Sequence, residues 1–242
     1  SEDEDAPDFG FLYSAPLLDP SGKPLALIDH NSEFSEVFSA LRRSNTGLRA
    51  VADVDTTRTL RRLLTHGVTM LHYCGHGLAT PLSEPPGVEE PSASGFSLVL
   101  EDGKGGAHSL PASDLHELVA AGGTRLQLVF VSACHSLGGG AAFARAGVPH
   151  VVAVKRSERI QDRAACIFAE AFYFGLLRGN KTVRQAFDIG RSAVSSAVGI
   201  HEASAEAAKV CAPYTPPHAT HAAGPPACRL PPAACRLPPA AC

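Results

Sequence analysis

The stretch Leu128-Val129-Phe130-Val131-Ser132-Ala133-Cys134-His135-Ser136 runs β-branched and aromatic residues up to a cysteine, and Gly138, Gly139 and Gly140 follow at once. Four to eight apolar residues bounded by glycines predict a buried strand with Cys134 at its carboxyl end. A second run, Val68-Thr69-Met70-Leu71-His72-Tyr73-Cys74-Gly75-His76-Gly77, ends the same way, on a histidine between two glycines. In an open parallel sheet, reactive groups gather at the carboxyl ends of strands. If these two strands are neighbours, His76 and Cys134 can meet.

Upstream of His76 the pattern alternates. Phe11 to Leu17 reads as a first strand closed by the turn residues Asp19-Pro20-Ser21-Gly22. Ser32 is expected to cap a helix from Glu33 to Arg43, with Phe34, Val37, Phe38 and Leu41 at helical spacing. Leu48 to Val54 is a second strand, and Thr56 or Thr57 caps a helix carrying Leu60, Leu63 and Leu64 that Gly67 ends. Strand, helix, strand, helix, strand predicts a mainly parallel α/β sheet.

Downstream, Thr80 to Gly95 is a long proline-rich loop, expected to border a substrate groove. Phe96 to Leu100 and the Asp102-Gly103 turn predict a hairpin, and Ser113 or Asp114 begins a helix reaching Ala121. A small-residue helix from Ala141 to Ala146, a strand Val151 to Val154 and two helices follow. The first runs from Asp162 to Leu177, the second from Thr182 with Val183, Ala186, Phe187 and Ile189 inward, and Gly179 is the C-cap between them. Three parts are expected: an acidic lead over 1–10, one domain over 11–200, and a tail over 201–242 in which order fails. In that tail Ala-Cys-Arg-Leu-Pro-Pro-Ala repeats from Ala227 and Ala234, and its proline pairs exclude a heptad helix.

The 242 residues are enough for one sizeable core. A formal charge of -3 and a pI near 6.4 give no bulk attraction to nucleic acid, and no apolar stretch is long enough for a membrane helix. The chain opens on Ser1, with acidic residues where a signal peptide is basic and then apolar, so a fragment of a longer cytoplasmic protein is expected. Of the seven cysteines, Cys228, Cys235 and Cys242 lie seven apart in the tail, and the irregular spacing of Cys74, Cys134, Cys166 and Cys211 without a secretion signal reads as reduced thiols.

A thiol of ordinary pKa, about 8.5, is only a few per cent thiolate at neutral pH and needs a base, for which histidine is suited. The glycines flanking His76 let a substrate backbone approach and leave the Gly77 amide free to donate to an oxyanion, with the Cys134 amide as second donor. That is the outline of acyl transfer. The bland alternatives are a structural strand-end histidine and an inert buried cysteine. His72, Cys74 and His76 alternate on one strand face like half a zinc site, but no second ligand group stands at zinc spacing, so no metal or other cofactor is expected. His72 and Cys74 are read as packing or support residues, and His135 as pointing away from the reaction.

Leu71 to Gly77 followed by Val131 to Ser136 resembles the CHAT family of caspase-like cysteine peptidases, relatives of caspases, metacaspases and separases. His76 and Cys134 stand 58 positions apart, close to the roughly fifty expected in caspases. The resemblance covers Phe11 to Val198. It implies a caspase-like three-layer α/β sandwich with a mainly parallel central sheet, and a cysteine endopeptidase acting on a protein or peptide substrate. His76 is then the general base, Cys134 the nucleophile, and the Gly77 and Cys134 amides the oxyanion donors. It also implies a regulatory repeat or sensor domain in a missing part of the chain. Ser132 stands where metacaspases carry an acid that selects basic substrates, so a preference for Arg or Lys does not carry over. The competing function is a catalytically silent module that binds a partner as scaffold or regulator.

Overall fold

The structure, a computed structural model, describes residues 6–79, 96–122, 125–133, 136–154 and 162–214. Two strands at its centre are buried at every position, β3 (Met70–Cys74) and β7 (Leu128–Ser132). They are the runs that precede His76 and Cys134, and they lie side by side, parallel, in register from Met70↔Leu128 to Cys74↔Ser132. Around them β1 (Phe9–Tyr13), β2 (Ala50–Val54), β8 (His150–Val154) and β9 (Val210–Tyr214) complete a six-stranded sheet ordered β2-β1-β3-β7-β8-β9. All neighbours are parallel except β9, which runs antiparallel to β8.

Side chains alternate across a parallel sheet, so each face needs its own cover. Phe9, Phe11, Met70, Leu128, Phe130 and Val152 point to one face, where α1 (His30–Ser44), α5 (Asp162–Leu177) and α6 (Val183–Ser195) close a core around Phe168, Phe172 and Phe187. Leu12, Leu71, Tyr73, Val129 and Val131 point to the other, under α2 (Thr57–Thr65), α3 (Ala112–Gly122) and α4 (Leu137–Arg145). A small antiparallel sheet, β4 (Gly77–Ala79), β5 (Phe96–Glu101) and β6 (Ala107–Pro111), packs Leu98, Leu100 and Leu110 into that second core. The result is the expected three-layer α/β sandwich with a mainly parallel central sheet.

Several local readings change. Asp29, not Ser32, caps α1, accepting from the Ser32 N–H at 3.1 Å and the Ser32 hydroxyl at 2.6 Å, so the helix starts three residues earlier. β1 occupies Phe9–Tyr13 and starts within the expected lead. Gly138 to Gly140, read as the boundary between the cysteine strand and a helix from Ala141, lie in the first turn of α4, which starts at Leu137. A Cβ on Gly138 would stand 2.6 Å from Phe96 Cβ, and one on Gly139 would overlap Phe96 Cε1, so these two glycines admit the Phe96 ring. Ile189 is 38% exposed instead of inward. Asn180, not Gly179, takes the left-handed conformation between α5 and α6. Thr182 caps α6 with a reciprocal Gln185 bond.

The largest difference is at the carboxyl end. Ala203–Lys209 forms a seventh helix, α7, and β9 pairs with β8, so Ala207 and Val210 join the α1/α5 core where order was expected to fail. The proline-rich loop over 80–95 and the repeats beyond Tyr214 lie outside the described residues.

Candidate active site

His76 follows β3 directly and its backbone is held from two sides. The Gly75 N–H donates to Ser132 O at 3.1 Å, prolonging the β3/β7 ladder, and the Val99 N–H donates to His76 O at 3.1 Å from β5. The Tyr73 hydroxyl lies 2.9 Å from His76 O and 2.8 Å from Val99 O, one proton shared between two acceptors. Burial, with the Asp55 carboxyl nearby, holds the Tyr73 phenol well above its ordinary value, so it stays a donor. Gly75 must lack a side chain, because its Cβ would stand 2.4 Å from that hydroxyl.

The imidazole of His76 is half-buried, and its Nε2 lies 2.8 Å from the carbonyl oxygen of Ala26. A carbonyl only accepts, so Nε2 carries the proton and Nδ1 keeps the lone pair of a base. The orienting group is a backbone atom in the loop before α1, and no residue-type pattern announces it.

Gly77 opens β4 opposite Leu98. Because the neighbouring bond runs from the Val99 N–H to His76 O, Gly77 and Leu98 are a non-hydrogen-bonded pair, and the Gly77 N–H points away from β5.

Cys134 and His135 lie outside the described residues. The chain around them is fixed. Ser132 ends β7 beside Cys74, and Ser136, whose hydroxyl donates to Val131 O at 3.2 Å, precedes the first turn of α4. Cys134 thus comes two residues after Ser132, as His76 comes two after Cys74, on adjacent parallel strands.

Beneath these strand ends lies a buried polar cluster that sequence reasoning met only in part. Glu33, in the first turn of α1, accepts from His72 Nε2 at 3.0 Å on Oε1, and from the Ser132 hydroxyl at 2.9 Å and the Cys74 thiol at 3.1 Å on Oε2. His72 Nδ1 meets the Tyr173 hydroxyl of α5 at 3.0 Å, and its ring is stacked between Phe11 and Phe130, each 4.8 Å away. Burial alone would raise the Glu33 carboxyl. The hydrogen bond and charge of His72, with the Ser132 and Cys74 donors, outweigh it and hold the group below its ordinary value, an ionised acceptor. The support role expected of His72 and Cys74 has a definite object in this carboxylate. Glu33 itself was legible only as a charge on the stripe Val37, Ala40, Leu41 that faces the core.

On the opposite face, Ser14 and Asp55 follow β1 and β2 and are both buried, and neither Ser14 Oγ nor Asp55 Oδ1 has a hydrogen-bond partner among the described residues. Burial holds the Asp55 carboxyl well above its ordinary value. No group of three or more His, Cys, Asp or Glu suited to a metal occurs among the described residues. A groove of about 600 Å³ between α2, α3 and β6, lined in part by Arg61, His108, Asp114 and Glu117, shares no residue with the His76 site.

The family model for the CHAT domain matches residues 19–205. The chain belongs to the CHAT domain family. Among solved structures, the Arg-specific cysteine proteinase gingipain R (RgpB) is similar at a TM-score of 0.53 and 11% identity, over 89% of this chain and 48% of the proteinase. The chain spans about half the length of that protein, and at this identity the likeness is one of fold. Comparison with curated proteins finds no match. This CHAT domain therefore has the caspase-like fold. No helix among the described residues is long and apolar enough to cross a membrane.

Proposed function

We propose that this CHAT domain is a cysteine endopeptidase in which Cys134 is the nucleophile and His76 the general base. The observation that carries the reading is that β3 and β7 are adjacent and in register up to Cys74 and Ser132, the residues two positions before His76 and Cys134 in the chain, with His76 Nε2 committed to Ala26 O and Nδ1 left as base. His76 Nδ1 takes the thiol proton as Sγ attacks the peptide carbonyl carbon. The oxyanion is received by the Gly77 and Cys134 amides. The C–N bond breaks as the imidazolium returns its proton to the amine, and water, deprotonated by the same imidazole, hydrolyses the thioester and restores the thiol. The amino-terminal end of α4, just after Cys134, adds a partial positive charge that favours thiolate.

The rim supports a peptide as substrate. Leu27 (84% exposed) follows Ala26, whose carbonyl holds His76, and Leu78 follows Gly77, so apolar side chains stand in water next to both residues that flank the imidazole. Apolar surface left exposed beside a candidate site suits the binding of a peptide.

Purified protein assayed against a peptide library decides the matter. Cys134→Ala should abolish turnover in a folded protein, and His76→Ala should depress it by several orders of magnitude, since such residues fail together. Cys74→Ala should cost far less. Full turnover in folded Cys134→Ala would end this mechanism. A wild-type Cys134 no more reactive than an ordinary thiol would leave the scaffold reading in its place.

A further inference from the structure

We infer that Glu33 is the positioning residue of the dyad. From the first turn of α1 it fixes the ends of β3 and β7 two residues before His76 and Cys134, and with them the loop whose carbonyl orients His76. The inference rests on the dyad reading above.

Three observations converge on it. First, the partners of Glu33 Oε2, Cys74 and Ser132, are the last register pair of β3 and β7, so one carboxylate oxygen ties together the two strand ends that carry the dyad. Second, Oε1 takes His72, the next residue back on the same face of β3, and His72 is locked in turn by Tyr173 and two stacked rings. Third, Glu33 lies seven residues after Ala26 in the chain. Asp29 caps α1 by accepting from Ser32, and the His30 ring stacks on Tyr13 at 4.8 Å, so the start of the helix that carries Glu33 is anchored three residues after the carbonyl that holds His76.

A carboxylate is a poor choice for mere filling, because apolar residues of similar volume give equal or better stability at a buried ionic site. What it adds is direction, a set of acceptors that holds a thiol, a hydroxyl and an imidazole at fixed places. The titratable groups facing it are His72 and Cys74 from β3 and Tyr173 from α5.

The test is the pH dependence of Cys134 alkylation by iodoacetamide in the full chain, followed on the Cys134 peptide by mass spectrometry because the chain has other thiols, with circular dichroism melting of each variant. In wild type the midpoint should lie below the ordinary thiol value of about 8.5, and His76→Ala should return it there. Glu33→Gln keeps the shape but loses an acceptor, and should raise the midpoint by about one unit while the protein stays folded. Adding His76→Ala to it should then move the midpoint by less than the sum of the two. A purely structural Glu33 would lower the melting temperature and leave the midpoint where it was, and that result in a folded variant overturns the inference while the dyad stands. Equal midpoints in wild type and His76→Ala overturn the dyad, and the role of Glu33 with it. If Glu33→Gln fails to fold, Ser132→Ala decides, since it removes one donor to Oε2 with little loss of volume. A raised midpoint sustains the inference and an unmoved one overturns it.

Discussion

The two faces of the sheet carry buried carboxyl groups on either side of β3, Glu33 at His72 and Asp55 near Tyr73, and treat them in opposite ways. On the α1/α5 face both oxygens of Glu33 are engaged, by three donors, and the group is held ionised. On the other face Asp55 Oδ1 and Ser14 Oγ have no partner among the described residues, and burial favours the neutral acid. Burial is common to both. What separates them is whether the neighbouring strands present donors, as β3 and β7 do through His72, Cys74 and Ser132. The first face satisfies its buried charge and ties the ends of β3 and β7 together, and the second carries a residual cost of folding.

Removing the cover of the Glu33 face should have the largest effect. Truncation after Gly199 deletes α7 and β9, exposing the edge of β8 and stripping Ala207 and Val210 from the core that encloses Phe168 and Phe172. The expected result is loss of the cooperative melting transition, while truncation after Tyr214 leaves it nearly unchanged. Equal melting curves would show that α7 and β9 contribute little and that the expected end of order near Ala203 describes the energetics after all.

Within the two clusters the substitutions should have opposite signs. Glu33→Gln should destabilise by roughly 1–3 kcal/mol, the cost of leaving a buried polar group unpaired. Because the Glu33 carboxyl is held below its unfolded value, its contribution is full above an unfolded pKa of about 4.3 and is lost as pH falls through the lower folded value. Denaturant unfolding from pH 7 to pH 3 should therefore show the difference between wild type and Glu33→Gln shrinking in acid. Asp55 has the reverse sign. Its folded value is raised, so the native state binds more protons than the unfolded one, and stability is full below about 3.9 and declines as pH rises towards the folded value. Asp55→Asn removes that titration and should stabilise at pH 7 by roughly 1–3 kcal/mol, fading at pH 4. A destabilised Asp55→Asn at pH 7 would mean that the acid has a partner the comparison lacks.

How much of this was legible in the sequence follows the same division. The two strands, their ends two residues before His76 and Cys134 in the chain, and the layered fold are written in short-range patterns: continuous apolar runs, glycines at the boundary, and leucines at helical spacing in α2. Glu33 was obscured because an acid in the first turn of a helix is ordinarily read as a partner of the helix dipole. Only its phase with Val37 and Leu41 marks it as inward. Ala26 contributes a backbone carbonyl, which no side-chain pattern can signal. Asp55 sits where aspartate usually makes a turn, and its burial follows from the Glu101 strand crossing above it, where the Glu101 N–H donates to Asp55 O at 2.8 Å. The α7 and β9 segment is short, alanine-rich and carries Pro213, which reads as a break. Its order depends on pairing with β8, some sixty residues earlier, and an edge strand tolerates the proline.

The smallest effect should come from Ser14. Its hydroxyl is fully buried next to the Gly75 backbone, near the Tyr73 phenol, and makes no well-formed hydrogen bond among the described residues, whereas the hydroxyl of Ser132, across the sheet, donates to Glu33 at 2.9 Å. Removing a buried hydroxyl without a partner relieves a desolvation penalty, and the lost volume is one oxygen, so Ser14→Ala should change stability by less than about 1 kcal/mol, in the stabilising direction. Ser132→Ala takes away the same atom but breaks a charge-assisted bond, and should destabilise by about 1.5–3 kcal/mol. Matched denaturant titrations of the two variants measure the asymmetry between the faces with one chemical change. If Ser14→Ala destabilises as much as Ser132→Ala, the hydroxyl of Ser14 is bonded in solution, and the two faces differ in composition but not in how completely their polar groups are satisfied.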